Sequence, residues 1–144
     1  MTLEDIQKEW IIDSEIDKTN LDLESLNTPK LHSKYMNILS NERNQYARKE
    51  AEHNVLVMQK RVFFIQGETL ETKAAGWKLP AKGELSVKEV ADYLTVDPDI
   101  INSNLQLIYR KERISYLLEV IKQINSRTYT IAQSIAFIKF KAGQ

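Results

Sequence analysis

The sequence contains no cysteine, and it has only four glycines and three prolines among 144 residues. Without cysteine the chain can form no disulfide, no thiolate nucleophile and no cysteine-ligated metal site. Because so few residues break helices or form turns, long helices are favoured over a sheet of many strands. We therefore expect an all-α fold.

Long apolar runs are also missing, since no stretch approaches the roughly 18 residues that indicate a membrane span. Residues 1–17 are acidic and lack the basic and apolar regions of a signal peptide. These two absences predict a cytoplasmic protein without a membrane segment.

Sequence patterns that carry catalysis are not found either. The four glycines form no phosphate-binding loop. His32 and His53 lack the helical spacing of a metal-binding pair, and we interpret each as a helix-surface residue. No nucleophile motif accompanies them. The sequence therefore predicts no catalytic residue, no metal site and no cofactor, and we do not expect an enzyme.

The net charge is zero, but the charges are arranged in blocks. Residues 1–29 hold eight acids and two bases, and residues 30–66 hold three and seven. Residues 67–104 hold seven acids and four bases, and residues 105–144 hold two and seven. Such blocks allow a basic face on a neutral protein. The alternative, which charge alone favours, is that acidic and basic segments lie against each other within the chain.

The first half of the chain predicts two short helices and one long helix. Apolar residues at helical spacing mark residues 3–12, and a second short helix is expected over 19–26. Thr28-Pro29 is typical of a helix start, and no glycine or proline follows before Gly67. Residues 29–66 are therefore predicted to form one helix about 55 Å long.

The second half predicts a loop and three further helices. Residues 67–83 contain most of the glycines and are expected to form a loop, and a capping box at Ser86 opens a short helix. Isoleucine or leucine repeats every seven residues along a predicted helix over 98–126. Residues 127–130 are interpreted as a hinge before a last helix over 131–141. The expected architecture is a single domain, residues 1–144, of long antiparallel helices with a short C-terminal helix.

The last predicted helix is apolar on more than one face, which is unusual for a helix on the surface of a monomer. This excess of apolar side chains predicts that the segment packs against other copies of the chain. The expected interface residues are Ile131, Ile135, Phe137, Ile138 and Phe140.

Basic and aromatic residues lie close together near the end of the long helix. Lys49 and Lys60 are three turns apart and therefore face nearly the same way, Arg61 borders them, and Phe63-Phe64 follows. Cations contact phosphates and rings stack on bases, so this pattern suits single-stranded DNA. The alternative for both phenylalanines is a place in the core.

Two other functions are compatible with the pattern. Residues 86–113 resemble a helix-turn-helix outline, which would bind duplex DNA, although Pro98 to Ile101 offer no side chain suited to a base edge. A structural adaptor without nucleic-acid binding would equally explain the heptad pattern and the apolar C-terminal helix.

The order and spacing of many residues resemble the UvsY family of phage recombination mediators. The similarity begins with MTLEDIQKEW, continues through Glu50-Ala51, Val55 and Phe63-Phe64, weakens over residues 67–88, and returns near the C-terminus. The segment 67–88 is interpreted as a variable loop that carries an insertion in this chain. The final matching residues are Arg127, Tyr129, Ile131, Phe140 and Ala142-Gly143.

The resemblance implies a function that composition does not. It implies an oligomer of six or seven subunits, such as a heptamer, that binds single-stranded DNA in recombination, repair and replication. It also implies contacts with a UvsX-type recombinase and with the phage single-strand-binding protein, in the cytoplasm of an infected bacterium. The segment 128–144 would form the ring-like homo-oligomer.

The family's DNA-binding motif is an aliphatic residue, Lys, any residue, Arg and an aliphatic residue, and it aligns with residues 57–61. Met58 stands where the family has Lys, Lys60 stands at the Arg position, and Arg61 occupies the second aliphatic position. The resemblance therefore implies DNA contacts from Lys49, Met58, Lys60 and Arg61, with one cation shifted along the helix.

Overall fold

The computed structural model describes residues 1–143, which form five helices and no strand. The prediction of an all-α fold is confirmed. The helices are α1 (Leu3–Asp13), α2 (Leu21–Gln66), α3 (Leu70–Ala74), α4 (Val87–Thr95) and α5 (Pro98–Lys141). Within residues 1–143, none of these helices combines the length and the apolar character that a membrane crossing requires.

The chain divides into two compact units. Unit 1 comprises Met1–Asn44 and Lys111–Gln144, and unit 2 comprises Gln45–Arg110. The helices α2 and α5 each contribute residues to both units. They run antiparallel in both, because α2 residues of rising number pair with α5 residues of falling number. The pairs are Glu24–Arg127 and Glu42–Arg113 in unit 1, and Gln45–Arg110 and His53–Ser103 in unit 2.

The core of unit 1 forms where α1, α2 and α5 meet. Its fully buried residues are Ile6, Tyr35, Leu39, Leu117, Val120 and Ile124. Trp10 of α1 meets the Tyr35 ring edge-on, with 5.4 Å between the ring centroids. Tyr35 also donates a hydrogen bond of 2.8 Å to Asp13 at the end of α1. Ring packing and this hydrogen bond together attach α1 to α2.

Two buried arginines of α5 complete unit 1. Arg113 donates to the fully buried Glu42 carboxylate at 2.5 Å and also to the backbone carbonyl of Met1. Arg127 pairs with Glu24 and also donates to the backbone carbonyl of Asp13. Since a buried charge needs a partner, these pairs determine which residues of α2 and α5 lie opposite each other.

The core of unit 2 packs the end of α2 against the segment that follows it. Its buried residues are Phe63, Phe64, Leu85, Val90, Leu94 and Ile100. The backbone carbonyl of Phe64 accepts a hydrogen bond of 2.8 Å from the amide of Leu85, which returns the chain to α2 before α4 begins. Gly67 makes the turn after α2 with a φ of 95°, a backbone conformation that favours glycine.

Two predictions about the long helix and the loop after it are wrong: the start of the helix, and the absence of a helix within the loop. The helix begins at Leu21 rather than residue 29, so Pro29 lies inside it, and no separate helix covers 19–26. Inside the helix, the Thr28 hydroxyl donates to the Glu24 carbonyl at 3.2 Å instead of capping a new helix. The predicted loop 67–83 contains the short α3, which Thr69 caps.

The predicted hinge at 127–130 and the separate short C-terminal helix are also wrong, because α5 runs unbroken from Pro98 to Lys141. Burial of Arg127 against Glu24 holds the helix where the sequence suggests a break. The hydroxyls of Ser126 and Thr130 donate to carbonyls four residues earlier, at 3.0 and 3.3 Å. Those hydroxyls are therefore satisfied without interrupting the helix.

Candidate nucleic-acid interface

The cations predicted to bind DNA lie on the part of α2 that belongs to unit 2. Lys49 is half-buried and forms an ion pair with Glu52 at 3.2 Å. Arg61 is half-buried, and Arg48, the neighbour of Lys49, is exposed. Among residues 1–143, neither arginine forms an ion pair or hydrogen bond through its side chain. Arg48 and Arg61 are therefore the cations of this region that have no side-chain partner within residues 1–143.

Lys60 differs from these cations because it is 4% exposed. Its ammonium lies 3.2 Å from Asp97 and 2.8 Å from Asp99, at the start of α5. It also lies over the ring of Trp77, 4.2 Å from the centroid. A phosphate could reach this ammonium only by displacing two carboxylates. The prediction that Lys60 binds DNA remains untested, but its contacts indicate that it positions α5 and Trp77.

The two adjacent phenylalanines are core residues, so of the two alternatives the core placement is confirmed. Phe63 and Phe64 are 2% and 5% exposed. Phe63 meets Trp77 edge-on with centroids 5.6 Å apart, and Phe64 contacts Tyr93 at 6.3 Å. Neither ring is open to a base from solvent.

Met58, the residue at the position of the family lysine, is 60% exposed. It lies at a groove of about 510 Å³ between the last turns of α2 and the α3 segment. The groove is lined by Met58, Gln59, Val62, Phe63, Gln66, Gly67, Thr69, Glu71, Thr72, Ala75 and Trp77. An uncharged, exposed thioether at this rim suits apolar contact rather than a phosphate.

Trp77 is the residue of this region that the sequence analysis missed. It lies in the segment interpreted as a variable loop, where it is the sole aromatic residue between Phe64 and Tyr93. That isolation among lysines and glycines was the available signal. Its partners Lys60 and Phe63 are more than ten residues away along the chain, so the contacts themselves could not be inferred.

The helix-turn-helix interpretation finds little support in the geometry. The second helix, α5, has 44 residues, and Ile100 in its first turn is part of the unit 2 core. Asp97 and Asp99, at the same end, bind Lys60. The start of α5 is therefore engaged within the chain, where a recognition helix would present it to a base edge.

The predicted self-association residues divide into two groups in unit 1. Ile131 is 2% exposed because the chain's own packing buries it, and its assignment to an interface between copies remains untested. Ile135 is half-buried. Phe137, Ile138 and Phe140 are 61%, 51% and 78% exposed, and they remain candidates. Exposed phenylalanines this close together are typical of a surface that another molecule covers.

Metal ligands do not cluster in the described chain: among residues 1–143, no three His, Cys, Asp or Glu side chains are placed to hold an ion together. His53 forms a hydrogen bond of 2.9 Å with Ser103 across α2 and α5 in unit 2.

Comparisons with known proteins give the chain its relatives. No curated protein sequence matches it. Crystal structures of the recombination mediator protein UvsY of bacteriophage T4 match its fold. One has 26% sequence identity and a TM-score of 0.79, covering 99% of this chain and 98% of that chain. Another has 24% identity and a TM-score of 0.78, covering 98% and 99%.

The family profile described as "Recombination, repair and ssDNA binding protein UvsY" matches residues 9–144. This match covers nearly the whole chain, both units included. The resemblance drawn from individual residues is thereby confirmed, and the chain belongs to the UvsY family.

Proposed function

We propose that this protein is a recombination mediator. It binds single-stranded DNA as a homo-oligomer of six or seven copies, weakens the complex of the phage single-strand-binding protein with that DNA, and helps load a UvsX-type recombinase. The observation that carries the proposal is the family match over residues 9–144. The protein acts in the cytoplasm of the infected bacterium, and it has no catalytic step of its own.

The accessible cations of unit 2, Arg48, Lys49 and Arg61, supply the contacts with phosphate. Arg48 and Arg61 have no carboxylate partner among residues 1–143, and Lys49 has only the surface pair with Glu52. An exposed pair of this kind contributes about 0–1 kcal/mol, so Lys49 can exchange Glu52 for a phosphate at little cost. Lys60 acts indirectly by fixing the structure around them.

Self-association makes these weak contacts effective. Three cations on one copy hold DNA poorly at physiological salt, whereas six or seven copies repeat the set around one strand. Phe137, Ile138 and Phe140 provide the apolar surface through which the copies associate. Bending the strand over the assembled copies removes contacts from the single-strand-binding protein and leaves DNA accessible to the recombinase.

The test is a triple variant, Arg48→Ala, Lys49→Ala and Arg61→Ala, titrated with a fluorescent oligo-dT strand at several salt concentrations. Each phosphate contact that is lost should reduce the slope of log affinity against log salt by about 0.7. Affinity should therefore fall at least tenfold at low salt, while light scattering gives the mass of the wild-type oligomer.

A matched control changes three exposed lysines of unit 1, Lys8, Lys18 and Lys122, to alanine. This control removes the same number of charges, so a merely nonspecific charge effect would weaken both variants equally. DNA affinity that is unchanged in the first variant would support the adaptor instead. A preference of the wild-type protein for duplex over single-stranded DNA would support the helix-turn-helix alternative.

A further inference from the structure

The groove between the end of α2 and α3 combines ring surface with unused hydrogen-bonding groups. The half-buried Trp77 provides aromatic surface, and Met58 and Val62 at the rim are 60% and 42% exposed. Gln59 and Gln66 line the same groove, and no group among residues 1–143 forms a hydrogen bond with either amide side chain. An apolar helix seated here would leave these two amides without partners, which is costly.

A flat heteroaromatic ring fits this combination better. Its faces match the indole and the thioether, and its edge carries the donors and acceptors that a glutamine amide binds. The cavity of about 510 Å³ lies within the range of roughly 300–1,000 Å³ that is usual for small-molecule sites. It therefore has room for one base and part of its sugar.

The charges around the groove suit a nucleotide whose base enters the groove while its phosphates stay outside. Glu71 is the one carboxylate among residues 1–143 that lines it. Lys73 and Lys78 flank the lining residues Ala75 and Trp77, both lysines are exposed, and neither has an ion-pair partner among residues 1–143. Arg48 lies about three turns before Gln59 on the same side of α2, because eleven residues complete three turns.

We propose that this groove is a nucleobase site, in which one unstacked base of single-stranded DNA lies against Trp77 with its edge toward Gln59 and Gln66. The proposal rests on the proposed function, since it gives that function a contact that depends on the bases as well as on phosphates. Lys60 serves the site as a positioning residue, because its ammonium covers one face of the indole and holds the ring.

The experiment compares an oligo-dT strand with an abasic strand of the same length, using the full chain carrying Trp10→Phe so that emission comes from Trp77 alone. Oligo-dT should quench Trp77 in a saturable manner, and the abasic strand should not. The abasic strand should bind at least tenfold more weakly, because every copy on the strand loses one stacked base.

A filling variant and its matched control locate the effect. Ala75→Phe places a ring in the groove, and Ala74→Phe places the same ring on the neighbouring exposed residue, which does not line it. Ala75→Phe should reduce affinity for oligo-dT to the level of the abasic strand, with abasic binding unchanged. Ala74→Phe should change neither affinity.

The outcomes separate this proposal from the function on which it rests. Equal, salt-dependent binding of both strands with unquenched Trp77 would overturn the nucleobase site and leave the mediator function standing. No binding of either strand would overturn both. If Ala75→Phe lowers the mass of the assembly but leaves the affinity for DNA unchanged, the groove holds a segment of another copy. The nucleobase site is then overturned.

Discussion

Both units bury basic residues, but they do so in different ways. In unit 1, Arg113 and Arg127 of α5 each pair with one glutamate of α2. In unit 2 the cation is Lys60 of α2, and it meets two aspartates and an indole ring. A cation's role therefore follows from the carboxylates that reach it, because Lys60 and Arg61 are adjacent and, among residues 1–143, only Lys60 of the two forms an ion pair.

The largest effect on stability should come from breaking the ion pair between Glu42 and Arg113 in unit 1. Glu42→Ala removes the buried carboxylate to which the Arg113 guanidinium, 7% exposed, donates. We expect a loss of about 3–5 kcal/mol in the free energy of unfolding, as for other buried pairs deprived of one partner. Urea denaturation followed by Trp10 emission, in a Trp77→Phe background, measures it.

The control for this prediction is Glu119→Ala, which removes an exposed acid from α5 in the same unit. It should change stability by no more than about 0.5 kcal/mol. A loss for Glu42→Ala as small as that of the control would mean that the buried pair does not stabilise unit 1.

A smaller effect is expected in unit 2 from Lys60→Met. The substitution keeps an unbranched side chain one heavy atom shorter than that of Lys60, and it leaves the buried Asp97 without its cation, while Asp99 remains largely exposed. Asp97 still accepts a hydrogen bond of 3.1 Å from the amide of Ile100, which limits the loss to about 2–3 kcal/mol. Trp77 emission should also change, because the ammonium leaves its ring.

Lys82→Met is the matched control, since Lys82 forms an ion pair with Glu89 at the surface of the same unit. Its cost should stay below about 1 kcal/mol. If Lys60→Met abolishes DNA binding while stability and Trp77 emission are unchanged, Lys60 contacts DNA directly and is not a positioning residue.

The smallest effect concerns acid sensitivity in unit 1. Burial by itself raises the pKa of Asp13, but hydrogen bonds from Lys34 and Tyr35 outweigh it and bring the pKa below the ordinary 3.8. A carboxyl with a lowered pKa stabilises the fold above its ordinary pKa, and this contribution is lost as the pH falls through the folded value. Asp13→Asn should therefore cost about 1 kcal/mol at neutral pH.

The difference between Asp13→Asn and the unmodified chain should vanish in strong acid, below the folded pKa of Asp13. Urea denaturation at a series of pH values measures it. Asp92→Asn, on the exposed surface of α4, should follow the unmodified chain throughout. A constant difference for Asp13→Asn at all pH values would indicate a packing defect rather than a lost carboxylate.

Much of the helical architecture could be predicted, because breakers and capping residues act locally. The end of α2 just before Gly67 and the start of α4 just after Ser86 follow from such signals. The predicted helix start and helix break that proved wrong rest on local signals, which contacts between residues distant in sequence override. Pro29 and the stretch after Ser126 lie inside helices that Glu24 and Arg127 hold together, although these two residues are 103 positions apart.

The candidate site was predicted less completely for the same reason. Basic residues on α2 could be recognised from the sequence, and Lys49, Arg48 and Arg61 do reach the surface. The burial of Lys60 depends on Asp97 and Asp99, which are 37 and 39 positions away. The groove depends on α3, which the sequence analysis treated as a loop.

The unbroken course of α5 past Arg127 fixes the angular phase of its last residues. With 3.6 residues per turn, Ile131 and Ile138 lie on nearly one side, and Phe137 and Phe140 lie well round from it. Inserting a single residue after Ile131 would rotate both phenylalanines by about 100° while preserving their identity. The proposed association of the copies is thus tied to helical phase, and such an insertion should disrupt it without removing one apolar atom.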